Sequence, residues 1–212
     1  MPTPDRTSVD AIVAAARDLL ETEGLTGLTM QAVAQRVGVR APSLYKRVQG
    51  RDQLVQLVAE ATLVEVGGRL EASTDLVDLV GVFRAFGHER PAAFQLVMTP
   101  GPGVPTARPE FGAETSRPIL RHAAVLAGDD KALEAARTVT AWAAGFVTME
   151  LAGSFGLGGD VDAAWRFGAE AIVAAVSTGA AGAGTEEEAG DETKPEPEPD
   201  ASATGAGATG DA

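Results

Sequence analysis

The segment from Thr29 to Arg51 constrains the fold of this chain most strongly, because its charge pattern and its helix signals coincide. It contains five basic residues and no acidic residue, although the whole chain has a formal net charge of -13. The basic residues are Arg36, Arg40, Lys46, Arg47 and Arg51. A cluster of positive charge within an acidic protein is the pattern expected of a surface that contacts phosphate groups.

The same segment predicts two short helices joined by a tight turn. Thr29 can cap the first helix, and Leu28 and Val33 have the spacing of a hydrophobic staple around that cap. Gly38 can end the helix in the left-handed region. Pro42 suits the first position of the second helix, where a missing N–H costs nothing. The pattern therefore indicates a helix-turn-helix whose second helix is short and basic.

Residues 8 to about 60 resemble the N-terminal domain of TetR-family transcriptional regulators. The run L-T-M-x-x-V-A-x-R-V-G-V-x-x-P-S-L-Y-x-x-V-x-x-R-x-x-L follows the family pattern almost throughout. Arg51 stands where the family often has lysine, and Val48 stands where many members have phenylalanine. The resemblance implies phosphate-positioning roles for Thr29, Tyr45, Lys46 and Arg51. It implies base-reading roles for Gln31, Arg40, Ala41, Pro42, Ser43 and Arg47.

The rest of the chain predicts an all-α protein with two domains. We expect an N-terminal helix-turn-helix three-helix domain in residues 1–60 and a C-terminal helical ligand-binding and dimerisation domain in residues 61–178. Apolar residues at helical spacing predict a first helix over Ser8–Thr22 and a fourth helix that opens at Asp52 and enters the second domain. Later helices are expected from Asp75, from Pro91, from Arg117, from Asp129 or Asp130 through Phe155, and from Val161 to Ser177. The proline-rich stretch Thr99–Pro109 is expected to be a loop.

Residues 179–212 differ in composition from everything before them. They hold nine acidic residues, one basic residue and no large apolar residue, so they cannot offset their ordering entropy by burial. We expect a disordered acidic tail, either as a plain solubilising segment or as an electrostatic mimic of DNA. Residues 1–60 carry seven basic and seven acidic groups, so the overall acidity does not argue against DNA binding.

Residues 75–178 resemble the C-terminal domain of a TetR subgroup marked by a Trp-His-Gly-like signature. Gly145, Phe146 and Glu150 fit that signature, whereas Ala144 stands where a histidine is usual. The resemblance implies dimerisation through the last two helices and a pocket for a small inducer. Four small residues are expected to allow close helix approach at the dimer interface: Ala143, Gly145, Ala152 and Gly153.

Seven large apolar residues of this domain are candidates to line the ligand pocket. Ordinary packing in the hydrophobic core is the simpler interpretation of each of them. They are Phe83, Phe86, Phe94, Met98, Phe111, Trp142 and Met149. His122 could contact a polar group of a ligand. Alternatively, it could be exposed to solvent or form its hydrogen bonds within the protein. This apolar inventory favours an uncharged or weakly polar ligand.

Several other classes of protein are disfavoured by what the chain lacks. There is no cysteine, which excludes disulfides, thiolate nucleophiles and sulfur-ligated metals. There is no HExxH, GxSxG or P-loop motif. We therefore predict no enzymatic activity, no cofactor and no metal site. The charged N-terminus and the absence of a long apolar run argue against a signal peptide and a membrane span, so we expect a cytoplasmic protein.

These observations lead to one functional expectation and two alternatives. We expect a regulator, a repressor that binds a palindromic double-stranded DNA operator as a homodimer and is released by a mainly apolar small-molecule inducer. The alternatives are a helical ligand- or partner-binding module without DNA binding, and a small-molecule enzyme built on helices.

Overall fold

The computed structural model describes residues 8–183, and it describes side chains up to residue 177. The described residues form ten helices and no strand, which confirms the predicted all-α fold. The helices are α1 Val9–Gly27, α2 Met30–Val37, α3 Ala41–Leu44, α4 Arg51–Leu70, α5 Leu76–Glu89, α6 Pro91–Met98, α7 Pro109–Thr115, α8 Arg117–Ala127, α9 Ala132–Leu151 and α10 Val161–Ala183.

Helices α2 and α3 begin where the local signals predicted them, whereas α1 continues past its predicted end at Thr22 to Gly27, with a kink at Gly24, where φ is 67°. The Thr29 hydroxyl accepts a hydrogen bond from the backbone N–H of Ala32 at 3.1 Å, and Gly38 ends α2 with φ of 75°. Leu28 and Val33 are both fully buried beside the cap. Pro42 lies at the second position of α3, because Arg40 precedes the helix and Ala41 begins it. The predicted helix-turn-helix is thus present, but its second helix has only 4 residues and contains no basic residue. Lys46 and Arg47, which were predicted on that helix, lie in the turn after it.

Helix α4 connects the N-terminal helices with the rest of the protein. It is 20 residues long and runs without interruption from Arg51 to Leu70. It packs against α1 at its start and against α5, α6, α7 and α8 further along. The predicted boundary between residues 60 and 61 therefore lies inside a continuous helix, which can transmit a displacement from one side to the other.

Two predictions about the later helices need correction. Helix α7 begins at Pro109, directly after the proline-rich loop, and was not predicted because it is only 7 residues long and contains Gly112. Neither Asp129 nor Asp130 caps α9, because α9 begins at Ala132 after a turn and its N-cap residue makes no side-chain capping bond.

The ends of the last two helices also differ from the prediction. Helix α9 ends at Leu151, and Gly153 follows with φ of 65° in the left-handed region. Helix α10 continues past Ser177 to Ala183, through a segment rich in alanine, the residue with the highest helix propensity. The predicted tail beyond Ala183 lies outside the described residues.

Candidate DNA-binding surface and ligand cavity

The residues predicted to contact DNA lie on α2 and α3, directly before each of these helices, in the turn after α3 and at the first residue of α4. Most of them are exposed, while Ala41 and Ser43 are half-buried. Leu44 and Val48 are fully buried on the opposite side, so they fix α3 against the core and leave Tyr45, Lys46 and Arg47 at the surface. The exposed members of the set are Thr29, Gln31, Arg40, Pro42, Tyr45, Lys46, Arg47 and Arg51.

Arg51 has a structural task within this surface. Its guanidinium Nε donates to the carbonyl of Leu28 at 2.9 Å, and a terminal nitrogen donates to the carbonyl of Leu25 at 2.6 Å. These bonds attach the start of α4 to the last turn of α1 and to the residue that follows α1. Arg51 therefore positions the helix-turn-helix, and its predicted phosphate contact would have to be made by the remaining part of the same guanidinium.

A cavity of about 280 Å³ lies among the six helices α4 to α9. Helix α4 contributes Leu63, Val66 and Leu70, and α5 contributes Leu79, Val80 and Phe83. The other side is formed by Val97, Met98, Gly112, Thr115, Ser116, Ile119, Thr140 and Ala143. The volume is near the lower end of the range for small-molecule sites.

Only Phe83 and Met98 of the predicted ligand residues line this cavity. Phe94 is fully buried and packs edge-on against Phe83, with ring centroids 5.2 Å apart, and Phe86 is also buried. The side chain of Phe111 lies under the guanidinium of Arg108, 4.9 Å from the ring centroid.

The remaining predicted ligand residues lie elsewhere. Trp142 stacks on Trp165 at 4.8 Å in an aromatic cluster between α9 and α10. The His122 ring is 3.2 Å from the carbonyl of Ser73, and Met149 is exposed on α9. The structure therefore does not bring the eight predicted residues together. Most of the wall comes from aliphatic residues and from Thr115, Ser116 and Thr140, which no local sequence signal distinguishes from core or surface positions.

Among the side chains that the structure describes, no ionisable one lines the cavity. Its polar groups are three hydroxyls, and the hydroxyl of Thr115 donates to the carbonyls of Leu63 and Phe111 at 2.9 and 2.8 Å. Burying an unpaired charge in such surroundings is strongly unfavourable. The cavity can therefore accept an uncharged molecule far more readily than an ion.

Helix α6 links this cavity to the N-terminal helices. Val97 and Met98, at its C-terminal end, line the cavity. At its N-terminal end, the two carboxylate oxygens of Glu21 on α1 accept hydrogen bonds from the N–H groups of Ala92 and Ala93, at 3.1 and 3.0 Å. A displacement of α6 would therefore act directly on α1.

A second link joins α4 to the loop before α7. The Glu60 side chain is only 5% exposed, and its carboxylate accepts from Nε of Arg108 at 2.7 Å. The hydrogen bond from Arg108 holds the pKa of Glu60 below its usual value, against the opposing effect of burial. Sequence reasoning missed this pair, because the two residues lie far apart in the chain.

A third ionic group joins α5 to the last two helices. Arg84 donates to both carboxylate oxygens of Glu150, and it also contacts Asp162 at 2.7 Å. The His88 ring nitrogen lies 2.9 Å from the same Glu150 carboxylate. The hydrogen bond from Arg84 lowers the pKa of Glu150. This group fixes α9 and α10 relative to the cavity helices.

The described residues show no sign of two other kinds of site. No group of three or more histidine or carboxylate side chains within residues 8–183 could hold a metal ion. Among the same residues, no helix combines the length and the apolar character that a membrane crossing requires.

Two family models match the chain in the order of its two helical parts. The model described as bacterial regulatory proteins of the tetR family matches residues 5–58. The model described as the tetracyclin repressor-like C-terminal domain matches residues 76–172. Together the two models span most of the chain.

Curated relatives give the same assignment. The tetracycline repressor protein class E of Escherichia coli is 37% identical over 60 residues, which cover 28% of this chain and 28% of the repressor. The chain thus matches only about a quarter of the length of these tetracycline repressors. An uncharacterised HTH-type transcriptional regulator of Mycobacterium tuberculosis is 27% identical over 162 residues, which cover 71% of this chain and 73% of that protein.

Solved structures share the fold over most of both chains. A putative regulatory protein is similar with a TM-score of 0.67 and 25% identity, covering 82% of this chain and 98% of that one. A TetR variant from Acinetobacter baumannii in complex with minocycline is similar with a TM-score of 0.59 and 28% identity, covering 80% and 96%. A possible TetR family regulator from Streptomyces coelicolor, with a TM-score of 0.62 and 20% identity, covers 81% and 99% and shows the fold alone.

Proposed function

Because the chain belongs to the TetR family of bacterial regulatory proteins, we propose that it is a repressor that binds a palindromic DNA operator as a homodimer. A small, uncharged molecule in the cavity releases it from that operator. One observation carries the DNA-binding part of this proposal. The charged residues of α2, α3 and the following turn are all basic and exposed, and the buried side chains of Leu44 and Val48 hold this surface against the core.

Two kinds of contact are assigned to this surface. We assign phosphate contacts to Thr29, Tyr45, Lys46 and the remaining part of the Arg51 guanidinium, and such contacts would set the register of the protein on the duplex. The base-reading candidates are Gln31 on α2, Arg40 directly before α3, Ser43 within α3 and Arg47 in the turn after it. Ala41 and Pro42 have no side-chain hydrogen-bonding group and could contact at most a thymine methyl.

The experiment for this proposal is selection from a random-sequence duplex library, followed by anisotropy measurements on the enriched duplex. We expect a palindromic site whose half-sites are about one helical turn, roughly 34–36 Å, or somewhat more apart. Lys46→Ala should weaken binding to all sequences and make the salt dependence shallower by about one unit. Lys131→Ala, which changes another exposed lysine at the start of α9, is the matched control. Equal binding by the two variants would contradict the assigned surface.

The homodimer is supported by the outward faces of the last two helices. Ala141, Gly145 and Met149 recur every four residues on the exposed side of α9, and a side chain added at Gly145 would meet open space. On α10, Phe167 is 76% exposed. Exposed apolar residues at helical spacing favour packing against another helix pair. Ala143, expected at this interface from the sequence, is instead buried and lines the cavity.

Introducing charge on this face tests the dimer. Phe167→Glu should convert the protein to a monomer in light scattering, because burying an unpaired carboxylate at a helix interface is unfavourable. Val77→Glu alters a partly exposed valine on α5 and should leave the dimer intact. A Phe167→Glu protein that stays dimeric would place the interface elsewhere.

We also propose that the chain belongs to the Trp-His-Gly-type subgroup. Glu150, which matches the signature of that subgroup, forms the ion pair with Arg84 that holds α9 in place.

Release from DNA is proposed to pass through α4 and α6. Both helices line the cavity and both reach the N-terminal helices, α4 by its continuous length and α6 through Glu21. Two further cavities, of about 150 and 200 Å³, lie beside α6, which leaves the helix room to shift. A ligand can act only by binding the DNA-incompetent arrangement more tightly, and a coupling of about 1–3 kcal/mol is typical.

The ligand proposed for this chain differs in chemistry from the minocycline held by the Acinetobacter baumannii variant. A wall without ionisable groups disfavours a ligand with charged groups. Two probes with the same aromatic skeleton test this: N-phenyl-1-naphthylamine is neutral, and 8-anilinonaphthalene-1-sulfonate is an anion. We expect binding of the neutral probe and much weaker binding of the anion. Preferential binding of the anion would contradict the proposed ligand class.

A further inference from the structure

Thr140 differs from four other threonines in the described helices. The hydroxyls of Thr62, Thr115, Thr138 and Thr148 each donate to the carbonyl four residues earlier, at 2.7 to 2.8 Å. The Thr140 side chain makes no hydrogen bond to any residue that the structure describes, and it lines the cavity between α4 and α9. Its hydroxyl is therefore available to an occupant of that cavity.

The other two hydroxyls of the wall donate to backbone carbonyls, and neither forms a hydrogen bond with Thr140 in the described residues. Thr115 donates to two backbone carbonyls, and the Ser116 hydroxyl donates to the carbonyl of Gly112 at 2.8 Å. The other lining residues have aliphatic, aromatic or thioether side chains, or none at all. An apolar occupant that displaced water from Thr140 would leave the hydroxyl hydrogen unpaired, which is unfavourable.

We propose that the cavity selects an uncharged, mainly apolar molecule with one hydrogen-bond acceptor, of the ketone or ester class, which receives the hydroxyl of Thr140. This inference rests on the proposed function of the cavity as a regulatory ligand site. A carboxylate would also accept the hydroxyl, but no cationic side chain in the described part of the chain lines the cavity to balance its charge. A neutral carbonyl satisfies the one free donor and leaves the rest of the ligand against apolar surface.

Two neutral naphthalene fluorophores distinguish the contribution of a carbonyl group to binding from that of the apolar rings. The first is 6-propionyl-2-dimethylaminonaphthalene, whose ketone accepts hydrogen bonds and whose emission moves to longer wavelength when it does. The second is N-phenyl-1-naphthylamine, which has no carbonyl. Both are titrated into the full-length protein and into Thr140→Val, which removes the hydroxyl at nearly constant volume.

Thr138→Val is the matched control, because Thr138 lies on the same helix, is exposed, and donates to the carbonyl of Glu134. We expect Thr140→Val to bind the ketone about twofold to tenfold more weakly, the range of one hydrogen bond, with emission at shorter wavelength. Its affinity for N-phenyl-1-naphthylamine should be unchanged or slightly higher. Thr140→Ser, which keeps the hydroxyl, should restore the long-wavelength emission, and Thr138→Val should behave as the parent protein.

Each result has one meaning. If Thr140→Val binds the ketone with the parent's affinity and emission while both probes bind, the role of Thr140 is wrong and the cavity remains a ligand site. If neither probe binds the parent protein, the ligand-site part of the proposed function falls, and this inference falls with it.

Discussion

Replacing Glu21 by alanine should both destabilise the protein and weaken the coupling between the cavity and the DNA-binding helices. Helix α6 begins with a proline, which has no N–H, so Ala92 and Ala93 carry the first two free donors of the helix. Both donate to the carboxylate of Glu21, across the contact between α1 and α6. The change removes both acceptors at once.

The size of the effect follows from these two bonds. Loss of a capping side chain costs about 0.5–2 kcal/mol, and two partly buried bonds to a carboxylate place Glu21→Ala in the upper half of that range. For a chain of this size, each kcal/mol lowers the melting temperature by about 2–4 °C. Glu23→Ala is the control, because Glu23 is exposed on the same helix and makes no such bond in the described residues. Its effect should remain within about 0.5 kcal/mol.

Hydrogen exchange, followed by mass spectrometry with and without N-phenyl-1-naphthylamine, tests the coupling itself. In the parent protein and in Glu23→Ala, the probe should change exchange in α6 and in α1. In Glu21→Ala the change in α1 should be smaller, because the two hydrogen bonds from α6 to α1 are gone and the packing contact between the helices is what remains. A change in α1 of the same size in Glu21→Ala would refute the route through the Glu21 bonds.

Three further results are expected. Arg51→Ala should lower the free energy of unfolding by about 1–3 kcal/mol in urea denaturation, because two bonds to the carbonyls of Leu25 and Leu28 are lost, whereas Lys46→Ala should leave stability unchanged. The pKa of Glu60 is lowered in the folded state from a usual value of 4.5. The ionised Glu60 therefore stabilises the fold above that value, and this stabilisation is lost as pH falls through the folded pKa. The difference in unfolding free energy between the parent and Glu60→Gln should shrink at low pH. Truncation after Ala183 should leave the melting temperature unchanged, because the removed segment has no large apolar side chain to bury, and higher DNA affinity of the truncated protein at low salt alone would favour the DNA-mimic interpretation.

The elements that sequence reasoning located best are those with signals close together in the chain. Thr29 caps the helix it precedes, and Gly38 takes the left-handed conformation that ends that helix. These interactions span only a few residues, so the sequence alone specifies them. Asp130 carried a similar signal, but Gly128 and the turn after it occupy the place where a cap was expected.

The cavity could not be located in the same way, because six helices meet to form it. Large aromatic residues looked like candidates, yet Trp142 packs on Trp165 and Phe94 packs on Phe83 as part of the core. Thr140 is the residue whose hydroxyl is available to a ligand, yet nothing in the sequence distinguishes it from Thr138. Only tertiary packing places one hydroxyl in a cavity and the other at the surface.

The most direct test of the account compares the selected palindromic duplex with a duplex in which one half-site is scrambled, by anisotropy at fixed salt. We expect two protomers to bind the full palindrome. We also expect the affinity for the scrambled duplex to fall toward the non-specific level, which is typically about a thousandfold or more weaker. Equal affinity for the two duplexes would contradict twofold-symmetric DNA recognition by this chain.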